Sequence, residues 1–233
     1  MKLLVTVLAA AGLAAAHMRI IDPVPISSPE NPNSDWTNID YNINNPIGSM
    51  SQVPCKGAVA KFWDSKAGTP VRAYKQGKKY KMVMQNGGAD HAGGSCQISL
   101  SYDRGATFRV IKSIIGGCAK VGASYEFRIP ADAPTGKAVF SWSWNNRIGN
   151  REFYQDCAAV TIKKNTAAMN PPKVAFSARP NIFVANIPGS GWCVDEGYDV
   201  VYPNPGPDVQ STSDRPRKPR QCSGRRSAKV FEA

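Results

Sequence analysis

The sequence predicts an all-β fold, an antiparallel β-sandwich with long loops and disulfide staples. Three observations carry that expectation. No long stretch has helical periodicity, while several short runs alternate apolar and polar residues at the two-residue period of half-buried strands. Clusters rich in Gly, Pro, Asn and Asp separate those runs. Six cysteines, an even set, follow an N-terminal stretch built like an export signal, so three disulfides are the default.

In chain order, residues 1–16 read as a secretory signal peptide. Lys2 gives the charged start, Leu3 to Leu13 the apolar run, and Ala14-Ala15-Ala16 the small-residue cleavage site, so that cutting after Ala16 exposes His17. No other apolar stretch approaches the roughly 18 residues that span a bilayer. The expected product is secreted and extracellular, with no membrane partner. The segment from Ser27 to Pro54 is rich in Asn, Ser and Pro and has no period, which marks a long loop. Its Trp36 and Tyr41 suit either of two roles, flat rings for a sugar chain or a cover on the core. Strand patterns follow at Gln97 to Tyr102, Tyr125 to Ile129, Phe140 to Trp144, and at Ala158, Val160 and Ile162. Turns are expected at Asp103-Arg104-Gly105, Ala133 to Gly136, and Asn145 to Asn150. Short strands so spaced argue for a sandwich of the immunoglobulin-like or fibronectin-like kind. Beyond Thr166 the chain turns Pro-rich and then returns to apolar runs at Ile182 to Ala185 and Tyr198 to Tyr202. The expected boundaries are residues 1–16 for the signal, 17–212 for the sandwich domain and 213–233 for a basic C-terminal tail.

Formal charge is +12. Part of it lies in Arg215-Pro216-Arg217-Lys218-Pro219-Arg220 and Arg225-Arg226, which reads as a solvated tail or as a contact for anionic polymer. Export and the absence of a recognisable motif argue against nucleic acid. Zinc is disfavoured because no CxxC pair or Cys/His cluster is present. Spacing alone leaves the pairing of Cys55, Cys96, Cys118, Cys157, Cys193 and Cys222 open.

The chain has only two histidines. As a first residue, His17 offers two donors, its α-amine and ring Nδ1. His91 lies in the Gly-rich loop Gly87 to Gly94. One amine and two imidazoles make a three-nitrogen set that suits one copper ion in a T-shaped or tetragonal arrangement. Taken singly, each has an ordinary reading, a chance first residue and a surface histidine. Glu152 and Tyr154 are two apart, so on a strand their side chains share a face.

Blocks across most of the chain sharpen this reading. They include His17-Met18 with Pro23-Val24-Pro25, Pro54-Cys55-Lys56, Gly93 to Leu100, Val110 to Ile114 with Gly116-Gly117-Cys118, and Ile148 to Glu152 with Tyr154, Cys157 and Ala158. Phe183 to Asn186 and Tyr202 to Gly206 complete them. In this order they resemble the fungal lytic polysaccharide monooxygenases of auxiliary activity family eleven. The resemblance implies a histidine brace from His17 and His91, an axial Tyr154, a small residue, Ala89, crowding the opposite axial side, and an acid, Glu152, beside the metal. It also implies the pairs Cys96–Cys118, Cys55–Cys157 and Cys193–Cys222. Its implied activity is oxidative cleavage of crystalline chitin, with cellulose as another candidate, by a monomer using an external electron donor. A non-catalytic copper-binding protein and a polysaccharide-binding wall protein or effector are the other functions open at this point. The chain departs from the family pattern at Asp90, a carboxylate beside His91, at Ala92 in place of Gly, and in the length of the Ser27–Met50 loop.

Overall fold

Alternating side chains in two long strands set the architecture. In the computed structural model, which describes residues 17–167 and 170–222, strands β7 (Gly136–Asn146) and β8 (Phe153–Lys163) pair antiparallel along almost their whole length. The expected signal 1–16 and residues 223–233, with Arg225 and Arg226, lie outside the described residues. Strand β4 (Gly94–Ser101) pairs antiparallel with β7 on its other side and with β5 (Arg109–Ile115) beyond. Short strands finish both edges of this six-stranded sheet: β2 (Arg72–Lys75) on β8 and β11 (Val209–Ser211) on β5. Both edge pairs are parallel, so the sheet is mixed rather than wholly antiparallel. Each edge segment arrives by a long excursion and not by a hairpin, and it shields an edge that would otherwise present unpaired backbone groups.

The second layer is a three-stranded antiparallel sheet with β3 (Lys79–Met84) between β1 (Ile20–Asp22) and β6 (Ser124–Arg128). Between the layers lies the main core, including Met18, Ile20, Met82, Met84, Phe127, Ile98, Leu100, Phe140, Trp142, Trp144 and Tyr154. The sandwich expected from the alternation is the one observed, and every patterned run read as a strand falls in β4, β6, β7 or β8.

One expectation fails in detail. The polar faces of β4 and β7 are buried instead of half-exposed: Ser95, Gln97, Ser99, Ser141, Ser143 and Asn145 are all inaccessible. The C-terminal segment covers the Gln97 end of this face, Ser141 Oγ accepts from Gln155 Nε2 of β8 at 3.0 Å, and Ser99 Oγ and Asn145 Nδ2 are buried without a partner. The Phe183 amide donates to Gln97 Oε1 at 2.7 Å, and Gln97 Nε2 donates to Ser113 Oγ at 3.1 Å. Buried polar side chains are tolerable when so paired. Ile182 to Ala185 consequently serves as cover and forms no strand, while Tyr198 to Tyr202 contributes only the two-residue β10 (Asp199–Val200).

Disulfides join Cys55 to Cys157, Cys96 to Cys118, and Cys193 to Cys222. The last belongs to a strap. β9 (Trp192–Cys193) pairs with β13 (Arg220–Gln221), and β10 with β12 (Pro216–Arg217). Arg217 and Arg220 both pair with Asp195, and Arg215 and Arg217 stack on Tyr198. The described part of the basic tail, up to Cys222, is therefore tied to the body and is not a free extension.

Candidate metal centre

The chain enters the fold at the site. Met18 and Ile20 point into the core, which turns the intervening side chains outward by the strand period. The Ile20 amide donates to the buried Asp156 Oδ2 at 2.9 Å and fixes the first turn of chain against β8. His17 is held by its carbonyl oxygen, which accepts from Gln85 Nε2 at 2.7 Å and Asn44 Nδ2 at 2.9 Å. Asn44 also donates to Gln85 Oε1 at 2.9 Å, so three groups lock together. Asn44 belongs to the long 27–50 loop, whose Ile47 amide donates to the Phe153 carbonyl at 2.8 Å. That loop thus builds one wall of the site. Its Trp36 and Tyr41 are 82% and 76% exposed, which excludes the core-covering role for both rings.

His91 reaches the same place on a tight turn. His91 and Ala92 have φ of 47° and 57°, and Gly93 and Gly94 continue at 87° and 136°. Two successive non-glycine residues in the left-handed region cost energy, here offset by hydrogen bonds on all sides. The Gly93 amide donates to the Asp90 carbonyl at 2.7 Å, and the Ala92 amide to Asp90 Oδ1 at 3.2 Å. From the β7–β8 connection, the Ile148 amide donates to the His91 carbonyl and the Arg147 amide to the Gly93 carbonyl. Gly149 closes the clamp. It has φ of +93°, and a Cβ there would lie 3.0 Å from His91 Nδ1. The Asp90 carboxylate points to the Ala92 amide and to Lys120 Nζ, 3.4 Å away; its structural part is to hold the turn.

Four of the expected residues meet. The rings of His17 and His91 lie 5.5 Å apart, centroid to centroid, with 28° between their planes. The Tyr154 ring is 5.5 Å from that of His17, and Trp144 lies behind both, 4.6 Å from Tyr154 and 5.8 Å from His91. Tyr154 donates its hydroxyl to Glu152 Oε2 at 2.5 Å, and the same oxygen is 3.9 Å from His17 Nε2. Glu152 makes no ion pair with Arg151 among the described residues, because Arg151 donates to the Asn146 and Gly149 carbonyls. Ala89 is exposed in the loop leading to His91.

His17, His91 and Glu152 each offer a donor atom, and these three atoms lie within 4.8 Å of one another. His17 Nδ1 and His91 Nε2 are buried with no hydrogen-bond partner. Orphaned buried nitrogens are costly in a folded protein. These two are the ring atoms a metal ion between the histidines would take, so the residues present fit a copper ion. Burial lowers the pKa of His17, opposed by the Glu152 carboxylate and reinforced by His91 and Lys56; the ring therefore favours its neutral, metal-binding form. Burial, and then the hydrogen bond to Glu152, raises the pKa of Tyr154, which keeps its hydroxyl protonated.

Sequence reasoning missed Gln85, Asn44 and Trp144. The first two act by side-chain bonds to a main-chain carbonyl, for which a sequence carries no signal. Trp144 sat in a recognised strand, but its neighbourhood to His91 depends on the register of β4 with β7.

No family model matches the chain. It is 44% identical over 196 residues to AA11 family lytic polysaccharide monooxygenase A of Aspergillus fumigatus, covering 82% of this chain and 84% of that one. It is 34% identical to two others, AA11 family lytic polysaccharide monooxygenase B of A. fumigatus and an AA11 family lytic polysaccharide monooxygenase of Aspergillus oryzae. Those alignments cover 92% and 89% of this chain, which spans only 54% and 52% of the two relatives. A solved cellulose-active polysaccharide monooxygenase from M. thermophila aligns over 48% of this chain and 60% of its own, at 14% identity and a TM-score of 0.35, a likeness too slight to carry an argument. With its two histidines, tyrosine and carboxylate gathered at one end of a β-sandwich, and with these relatives, the chain belongs to the AA11 family of lytic polysaccharide monooxygenases.

Proposed function

We propose that the mature chain, starting at His17 after export, is an extracellular enzyme that breaks glycosidic bonds of crystalline chitin by oxidation. The observation that carries the proposal is the pair of orphaned buried nitrogens, His17 Nδ1 and His91 Nε2, on two rings 5.5 Å apart beside Glu152. With the α-amine freed by cleavage after Ala16, they would hold one copper ion. Bound there, copper supplies the redox chemistry for hydroxylating C1 or C4 of a sugar, with an external electron donor and oxygen or hydrogen peroxide as co-substrate.

The chain's own residues do the positioning. Gln85 and Asn44 hold the His17 carbonyl, so the amine and ring of that residue meet the ion in one geometry. His17 Nε2 faces Glu152 Oε2 at 3.9 Å, and a ring proton on that nitrogen would leave Nδ1 free for the metal. The Tyr154 ring, 5.5 Å from that of His17, would shield a copper ion held there on one side, and the family resemblance assigns Ala89 to the opposite side. Glu152 Oε2 accepts the hydrogen bond of the Tyr154 hydroxyl, which orients the carboxylate beside the two histidines, where it could take up or release a proton during the reaction. No second carboxylate is required as acid or base, unlike glycoside hydrolysis. Trp36 and Tyr41 offer flat faces to sugar rings. Residues 17–212 form the working domain of a monomer, followed by a basic segment, 213–233, whose described part up to Cys222 is tied to the body by that disulfide.

Mass spectrometry of sugars released from β-chitin by the copper-loaded protein, processed to His17 and given ascorbate and oxygen, tests this. Oxidised oligosaccharides are expected from the intact protein and from neither His91→Ala nor copper-free samples. Products from cellulose alone would overturn chitin as substrate. No oxidised product from either, with copper tightly bound, would overturn the enzyme and leave a copper-binding protein.

A further inference from the structure

The end of the molecule away from the histidines holds a second constellation. β8 starts beside the site at Phe153 and ends at Lys163, which lies next to Lys75 on β2. Eleven extended residues span about 35 Å at ~3.3 Å each. At that far end a cavity of about 420 Å³ is lined by Lys78, Arg128, Arg179, Asn165 and Asp208, among others.

Arg179 is the residue that needs explaining. It is only 7% exposed, yet its Nε has no hydrogen-bond partner, and Nη1 makes only a long 3.4 Å contact to the Val110 carbonyl. No carboxylate of the described residues pairs with its guanidinium. The nearest acids are otherwise engaged. Asp208 Oδ1 accepts from Lys112 Nζ at 2.9 Å, and Asp132 Oδ2 accepts from the Phe176 amide at 2.7 Å. Burial disfavours the charged form of Arg179, and both acids act on it only from a distance. A buried guanidinium lacking a close counter-charge is expensive to maintain. Lys78 and Arg128 add two exposed cations at the same cavity, and neither is paired with an acid among the described residues. The net positive charge of the chain, +11 once Lys2 is removed with residues 1–16, strengthens the field that draws anions toward it.

We propose that this cavity binds a small oxyanion, a carboxylate, phosphate or sulfate group on a body no larger than a monosaccharide, with Arg179 at its floor and Lys78 and Arg128 at its mouth. A planar guanidinium matches such a group with two parallel hydrogen bonds. The site is separate from the metal centre and does not depend on the redox reading. An acidic sugar bound there would give the protein a second point of attachment, at the opposite end from the histidines.

Calorimetric titration of the copper-loaded protein at constant ionic strength, with inorganic phosphate in one arm and glucuronate in the other, tests the proposal. Saturable binding is expected in at least one arm, and which binds tighter tells a phosphoryl group from an acidic sugar. Because Arg179 is buried, the surface variant K78Q/R128Q carries the comparison and should bind at least tenfold more weakly with copper affinity unchanged. Lys218→Gln, a charge change elsewhere, should bind as the parent does. Absence of saturable binding in both arms, equal binding by K78Q/R128Q, or an equal loss in Lys218→Gln would each overturn the proposal.

Discussion

Replacing both halves of the Cys55–Cys157 cystine by alanine removes the link that closes the longest loop in the protein, 102 residues along the chain. Loop-closure entropy puts its contribution at ~4.7 kcal/mol, against ~3.6 kcal/mol for the 29-residue loop of Cys193–Cys222. Both sulfurs of the first pair lie in a buried cluster with Ile26, Val59, Trp63 and Ala159, so lost packing adds to the deficit. For a chain of this size roughly 2–4 °C accompanies each kcal/mol. C55A/C157A should therefore unfold about 10–20 °C lower than the parent, and C193A/C222A should lose less. Copper affinity should change by less than about tenfold in C55A/C157A, because Tyr154 stays in register opposite Trp144 in the β7–β8 ladder whether or not the cystine is present. Scanning calorimetry of the copper-free proteins and titration with Cu(II) give both numbers. A loss in C55A/C157A equal to or smaller than that in C193A/C222A would refute the reasoning from loop length. A collapse of copper affinity would show that the cystine, and not the ladder, holds Tyr154.

Two other changes are informative. Gly149→Ala adds a Cβ 3.0 Å from His91 Nδ1 at φ of +93°, so copper affinity should fall about tenfold, ~1.4 kcal/mol, while Gly197→Ala, at φ of +83° with open space around it, should cost stability alone; equal copper affinity in the two variants would disprove the clamp on the imidazole. The Arg19 guanidinium, bonded to both carboxylate oxygens of Glu30, holds that group down to about 2, so its contribution is present above pH 4.5 and is lost as pH falls through that window toward 2. The Glu30 side chain is 54% exposed, so solvent screening limits the effect to at most ~1 kcal/mol. Urea unfolding of Glu30→Gln beside the parent should show a gap at pH 6 that closes below pH 3, and a gap independent of pH would count against the pairing.

Much of the fold was legible because its information is local. Alternation in Phe140 to Trp144 or in Ala158, Val160 and Ile162 states which side chains face the core, and the two-residue period places Glu152 and Tyr154 on one face whatever the rest of the chain does. The two histidines stood out because the chain has no others. The same local logic misjudged Ser95, Gln97, Ser141 and Ser143. A polar residue on an alternating strand reads as facing water, and only the neighbouring strand β8 for Ser141 and the returning C-terminal segment for Gln97 supply buried partners.

By itself, then, the sequence determined which strand side chains face the core, an even cysteine set and the candidate donors, since each depends on residues close together or on simple counting. The tertiary structure decided the rest. It brought His17 and His91 to 5.5 Å across 74 residues of chain and left Nδ1 and Nε2 without other partners. It also recruited Asn44 from a featureless loop, turned Asp90 toward Lys120, and buried Arg179 beside a cavity. Each of these rests on the register of strands far apart in sequence, and the distance between two side chains is fixed only when every pairing between them has formed.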